Sequence, residues 1–213
     1  MTGPNPVSLL LLLAGMSVLP FLLVAFTSFT KISVVLSLTR SALGTQQAPP
    51  TMVLTGLSAA LSLLVMSPVA EAMLARVHGV QLPAGPGPEM LRVARDVAEP
   101  LRAFLVAQGS PELRAELAAL SRELHGGTER SQSDLAVVAP AFVLSELKQA
   151  FQIGFLIFLP FLVVDMVVAN VLLALGMQSL SPSQVSLPFK VLLFVAVDGW
   201  ALLARSLVQG YRG

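Results

Sequence analysis

The sequence predicts an all-α, integral membrane-type protein: two long, kinked apolar helix pairs flanking a polar amphipathic helical insert. Three observations carry that expectation. Of 213 residues, 55% are hydrophobic and 12% charged, about half the charged share of an ordinary globular domain, and mean hydropathy is +0.80. Four apolar segments, 7–38, 52–75, 142–175 and 185–208, each exceed the ~20 residues that cross a bilayer as a helix. Between the second and third the chain turns polar, and its apolar residues fall into helical spacing. The expected division is therefore an apolar pair over 1–75, an insert over 76–134 and a second apolar pair over 135–213.

The N-terminal run "MTGPNPVSLLLLLAGMSVLPFLLVAF" begins like a signal peptide. It lacks a basic leading region and an obvious small-residue cleavage site, so it reads as a retained segment. As one helix, the 32 residues of 7–38 would reach about 48 Å at ~1.5 Å per residue, long for a simple crossing. Each apolar segment holds a proline: Pro20, Pro68, Pro160 and Pro188. Proline removes a backbone donor and favours a kink. The segments also carry Lys31, Glu71, Glu146, Lys148, Asp165, Lys190 and Asp198, which suit helices that bury one another better than helices facing lipid.

The insert opens on "GVQLPAGPGPE", which no regular element crosses. Met90, Ala94, Val97, Leu101 and Phe104 then recur at helical spacing, as do Leu113, Leu117, Leu120 and Leu124, so each set shares one helix face. Ser110 followed by Pro111 is a helix start, and Gly126-Gly127 a stop. The expectation is a small soluble hairpin packed by its leucine stripe. Its seven arginines balance eight carboxylates, as on a solvated face.

Composition excludes much chemistry. Cysteine is absent, which removes disulfides, thiolate nucleophiles and cysteine metal sites. His78 and His125 lie in polar connecting sequence and read as solvated histidines. Gly85 and Gly87 sit among prolines, not between a strand and a helix as a phosphate loop requires. A net charge of +1 gives no electrostatic case for nucleic acid. No catalytic residue, metal ligand or cofactor is expected, and an enzyme is the weakest class.

The embedded charges are the informative residues. Asp165 and Lys190 lie in adjacent apolar helices joined by "GMQSLSPSQ", and pairing offsets part of each desolvation cost. With the turn centred near Leu180, the two stand about 7.5 Å out of register along the helix axes, so a neighbouring copy would offer a better-matched partner. A structural ion pair, a protonated Asp165 and a proton relay are the alternatives. Glu146 and Lys148, two residues apart, face different neighbours. Asp198 is too far along the helix to pair with Lys190.

Four stretches, "FTSFTKISVVLSLTRSALGTQQAPP", "MSPVAEAM", "SELKQAFQIGFLIFLPFLVVDMVVANVLLALGM" and "LPFKVLLFVAVDGWALL", closely resemble the type III secretion export-gate family. That family comprises flagellar FliP and its injectisome counterpart SctR, and the lack of a leader looks more like the injectisome branch. The resemblance implies a homopentamer that assembles with SctS-like and SctT-like subunits, beside SctU-like and SctV-like apparatus proteins, as a conduit for unfolded secreted proteins. It implies a multi-pass protein of the bacterial inner membrane, with the gate projecting toward the periplasm and the insert on that side. Arginines at the segment ends, Arg76, Arg130, Arg205 and Arg212, favour the opposite side for the insert by the positive-inside rule. That rule presumes individually spanning helices, so the resemblance takes precedence. Carried over by residue, Asp165 and Lys190 match the family's buried acid and base at subunit contacts, and Glu146, Lys148 and Asp198 are grouped with them. Met177, with Gln178 and Leu180, matches the start of a methionine gasket that closes the pore, although flagellar relatives carry more methionines there. A proton- or ion-coupled transporter is the rival from another class.

Overall fold

A computed structural model describes residues 10, 13, 16, 17, 21, 22, 24–45, 47–79, 88–124 and 131–212. Among these no strand occurs, and the expected all-α class is what the chain adopts. The helices with defined bounds among the described residues are, in order, α1 (Phe29–Leu43), α2 (Thr51–His78), α3 (Pro88–Gln108), α4 (Pro111–Leu124), α5 (Leu135–Ala174), α6 (Pro182–Ala196) and α7 (Gly199–Gln209). Two of them, α2 and α5, are long and apolar enough to cross a membrane, and α6 with α7 qualifies as a bent pair. Pro20, His125, the two glycines 126–127 and the breaker glycines at 85 and 87 lie outside the described residues.

The helices form two compact units, 1–30 with 66–145 and 31–65 with 146–213. This grouping follows a different line from a division at 75 and 134.

In the first unit, the 7–38 segment is not one helix: the turn at Thr27–Ser28 interrupts it. Thr27 Oγ1 accepts the Phe29 amide at 3.3 Å, and Thr30 Oγ1 donates to the Val24 carbonyl at 2.6 Å. The insert helices start as expected at Ser110, whose hydroxyl accepts the Leu113 amide at 3.3 Å with Pro111 at the first helical position. They do not form a hairpin closed by leucines. Leu105 packs with Val138 and Phe142 of α5, flanked by Leu101, Phe104 and Phe26, and the Phe104 and Phe142 rings lie 5.8 Å apart. Gly109 is buried where the chain passes the α5 backbone, and a Cβ built there would stand 3.6 Å from the Phe142 backbone; the Ser110 amide donates to Ser145 Oγ at 2.7 Å. On α4 the buried residue is Ala118, whereas Leu120 and Leu124 are exposed, Leu124 by 82%.

The second unit is built around α1. Ile32, Val35 and Leu36 pack with Leu54, Ala150 and Leu207. A second cluster joins Ala42 and Leu43 to Phe161 and Phe194, with Trp200 edge-on to Phe194 at 5.1 Å. Burying Ile32, Val35, Leu36, Leu54 and Leu207 stabilises by about 1.5–3 kcal/mol each. Gly154 lets α5 approach α1, because a Cβ there would stand 2.3 Å from Leu38 Cδ1. Buried Thr39 and Ser58 return their hydroxyls to the carbonyls of Val35 and Leu54, at 2.8 and 2.7 Å, so neither hydroxyl is orphaned in the apolar interior.

Helix α5 ends in a Schellman motif. Gly176 takes φ +72°, its amide bonds Leu173 O at 3.1 Å, and the Met177 amide bonds Leu172 O at 2.9 Å. Pro68, Pro160 and Pro188 all sit inside unbroken helices. The sharp turn in the fourth apolar segment is elsewhere: α6 and α7 meet at 58° across Val197–Asp198, with Asp198 left-handed at φ 50°. Aspartate tolerates that conformation better than most residues. Gly199 is required beside it, since a Cβ would fall 2.3 Å from the Phe194 ring.

Candidate functional site

Two ion pairs are built into the second unit. The first lies between α1 and α5. Lys31 Nζ donates to Glu146 Oε1 at 3.0 Å and to Gln149 Oε1 at 2.9 Å. The Tyr211 hydroxyl donates to the other Glu146 oxygen, and the Lys31 ammonium stands 3.7 Å from the centre of the Tyr211 ring. The Lys31 and Glu146 side chains are 3% and 0% exposed. A carboxylate buried that completely needs every one of these partners. Glu146 was expected to face a neighbouring subunit; its partners belong to its own chain.

The second pair joins α5 to α6. Lys190 Nζ meets Asp165 Oδ2 at 2.6 Å, and Ser186 Oγ donates to Asp165 Oδ1 at 2.5 Å. Lys190 also lies 3.5 Å from the Ala42 carbonyl at the end of α1. The lysine side chain is 6% exposed and the aspartate 31%. This corrects the register argument that favoured a neighbouring copy. Helix α5 ends at Ala174 and α6 begins at Pro182, which places the middle of the turn before Leu180. Asp165 is nine residues from its helix end and Lys190 eight from its helix start, so the two come level.

The remaining charges are not buried in the chain. Lys148, Asp198 and Glu71 are exposed, and Lys148 and Asp198 form no ion pair among the described residues. The group assigned to buried contacts thus divides: Glu146, Lys190 and, in part, Asp165 are covered by their own chain, and Lys148 and Asp198 are not. His78 ends α2 in an exposed position.

Met177 and Leu180 are 48% and 47% exposed on the connector. With Gln178, Leu172, Leu173 and Pro182 they line a shallow groove of about 340 Å³. It holds no titratable group. Among the described residues no group of three or more histidines or carboxylates is placed to hold a metal.

Sequence reasoning missed Tyr211 and Gln149 as partners and did not join Lys31 to Glu146. The signal was faint. Tyr211 is the chain's one tyrosine, and an embedded lysine and glutamate of equal and opposite charge invite matching at any separation in sequence. The bend was also missed, although Asp198-Gly199 is a turn dipeptide hidden in an apolar run.

Fold and site together define a helical membrane protein whose apolar helices neutralise two pairs of embedded charges internally. The chain belongs to the FliP family, whose pattern matches residues 12–207. It is 43% identical to the harpin secretion protein HrpW of Pseudomonas syringae pv. syringae over 206 residues, covering 95% of this chain and 99% of that protein. It is 44% identical to the hypersensitivity response secretion protein HrcR of Ralstonia nicotianae, covering 96% and 97%. The flagellar biosynthetic protein FliP of Pectobacterium carotovorum subsp. carotovorum is 47% identical, covering 96% of this chain and 78% of its own length. The chain is therefore a membrane protein of the type III secretion and flagellar export family.

Proposed function

We propose that this chain is a pore-forming subunit of a type III secretion export gate, acting without catalysis or cofactor. Five copies assemble with SctS-like and SctT-like subunits, beside SctU-like and SctV-like proteins, around a conduit for unfolded protein substrates. The assembly sits in the inner membrane and projects toward the periplasm, with the insert on that side. The observation that carries this reading is the uncovered apolar surface of α5. Its forty residues make roughly 60 Å of helix, twice the ~30 Å hydrocarbon thickness. Large apolar side chains are exposed from Leu135 through Phe151, Phe155, Val163 and Val167 to Leu173. Lipid covers half of that length; other protein chains cover the remainder.

In this reading the Met177, Gln178 and Leu180 connectors meet around the axis and seal the resting pore, and Lys148 and Asp198 find partners on neighbouring chains. Identity to a flagellar protein as well as to two secretion proteins supports flagellar export as the second reading. Imaging the chain co-purified with SctS-like and SctT-like subunits tests the proposal. A five-fold ring with the connectors at its axis is expected. A monomer, or an oligomer with those connectors on its periphery, contradicts it.

A further inference from the structure

A groove between α2 and α7 holds two arginines and no carboxylate. Leu61, Leu64, Arg205, Val208, Gln209 and Arg212 line most of its roughly 280 Å³. Both walls come from membrane-type segments, α2 on its own and α7 together with α6. Leu64 is 59% exposed, and both arginines are exposed. Neither arginine is in an ion pair among the described residues. The tail bearing Arg212 is held in place: the Tyr211 hydroxyl is tied to buried Glu146. The Tyr211 and Arg212 amides continue the last turn onto the carbonyls of Val208 and Gln209, at 3.3 and 3.0 Å.

We propose that this groove binds an anionic phospholipid. Its phosphate sits between Arg205 and Arg212, and the upper part of one acyl chain lies on Leu61, Leu64 and Val208. Two guanidinium groups without a carboxylate, bordering an apolar floor, need an anion that carries its own apolar chain. A guanidinium fork matches phosphate in two parallel hydrogen bonds, and basic recesses between membrane helices hold acidic headgroups for this reason. A free phosphate satisfies the arginines but leaves the leucines uncovered; a zwitterionic lipid covers the leucines but brings its own cation to the arginines.

The test is native mass spectrometry of the purified full-length chain, titrated separately with phosphatidylglycerol, phosphatidylcholine and glycerol phosphate. Phosphatidylglycerol is retained and the other two are held at least tenfold less well. Arg205→Gln or Arg212→Gln each weakens that retention about fivefold, and the double variant about thirtyfold. Leu64→Gln weakens phosphatidylglycerol without changing glycerol phosphate, and Arg95→Gln, an exposed arginine of the insert, changes nothing. Equal retention of both lipids, or an unaltered double variant, overturns the proposal. Glycerol phosphate bound as tightly as the lipid makes this a small-anion site and overturns it too. So does a loss of chain–chain association by Arg205→Gln with lipid retention unchanged, since an acidic segment of another protein would then be the occupant. The wild-type lipid comparison stands if a variant fails to fold, and it needs no partner subunit, so its failure leaves the pore reading intact.

Discussion

The two internal ion pairs use the same chemistry under different degrees of cover. Lys31–Glu146 is sealed on both sides, with a tyrosine and a glutamine completing its shell. Lys190–Asp165 is one-sided: the lysine is covered and the carboxylate is one-third open. A sealed pair is part of how the chain folds, because removing one member strands a charge with no water to replace its partner. A half-open pair tolerates loss of its covered member, because solvent or a neighbouring chain reaches the carboxylate that remains. The first is a lock within the chain. The second is placed where assembly can act on it.

That contrast predicts a ranked series of effects. Glu146→Ala should be the most severe, costing about 3–5 kcal/mol as Lys31 is left buried and unpaired; thermal unfolding in detergent reads it. Exchanging both residues for leucine or methionine should cost less than Glu146→Ala alone, since no stranded charge remains. If the single and double changes are equally damaging, the pair does not act as a lock.

At the half-open pair the two single alanine variants should differ. Asp165→Ala leaves the covered Lys190 with the Ala42 carbonyl at 3.5 Å and should cost about 1.5–3 kcal/mol, the range for hydrogen bonds to charged groups. Lys190→Ala leaves a carboxylate that water and Ser186 still reach, and should cost less. A proton relay predicts a different pattern: Asp165→Asn would then fold and assemble normally yet abolish secretion. Assembly yield and secretion measured on the same variants separate the two.

Gly154→Ala sharpens the comparison from the backbone side. The added Cβ would meet Leu38 Cδ1 at 2.3 Å, separating the two helices that carry Lys31 and Glu146. A loss of about 1–3 kcal/mol is expected, as for other overpacked sites, with Lys190–Asp165 less affected. A neutral result would mean that the leucine rotates aside.

The smallest effect belongs to a third pair, half-buried on α3 of the polar insert. Arg102 donates to both oxygens of Glu99, at 2.7 and 2.6 Å, and these hydrogen bonds hold the Glu99 carboxyl below its usual range. A carboxyl lowered in the folded state stabilises the fold above its unfolded pKa, near 4.3. That contribution is lost as pH falls through the lower folded value. Arg102→Gln should therefore lower stability slightly at neutral pH and leave it unchanged in strong acid, as followed by pH-dependent melting.

Much of this was legible in the sequence where the cause is local. Ser110-Pro111 marks a helix start because a hydroxyl and a preset φ act within one turn. The spans of α2 and α5 follow from uninterrupted apolar runs. The Asp165–Lys190 match was visible, but its register was not, because that depended on where Gly176 and Pro182 end and begin their helices. Lys31 and Glu146 are 115 residues apart, and no local rule joins them. The stripe on α4 misled for a different reason: periodicity locates an apolar face but not the neighbour it meets, and here Ala118 is buried while Leu120 and Leu124 are exposed.

Whether embedded charges are satisfied inside each chain is tested most directly by a charge exchange made two ways. In one preparation a single chain carries both Asp165→Lys and Lys190→Asp. In the other, chains bearing only Asp165→Lys are mixed with chains bearing only Lys190→Asp. Native mass spectrometry reads the oligomers formed by each. An internal pair predicts that the doubly exchanged chain regains part of the wild-type assembly and that the mixture does not. Recovery by the mixture would place the pair between copies and contradict the account.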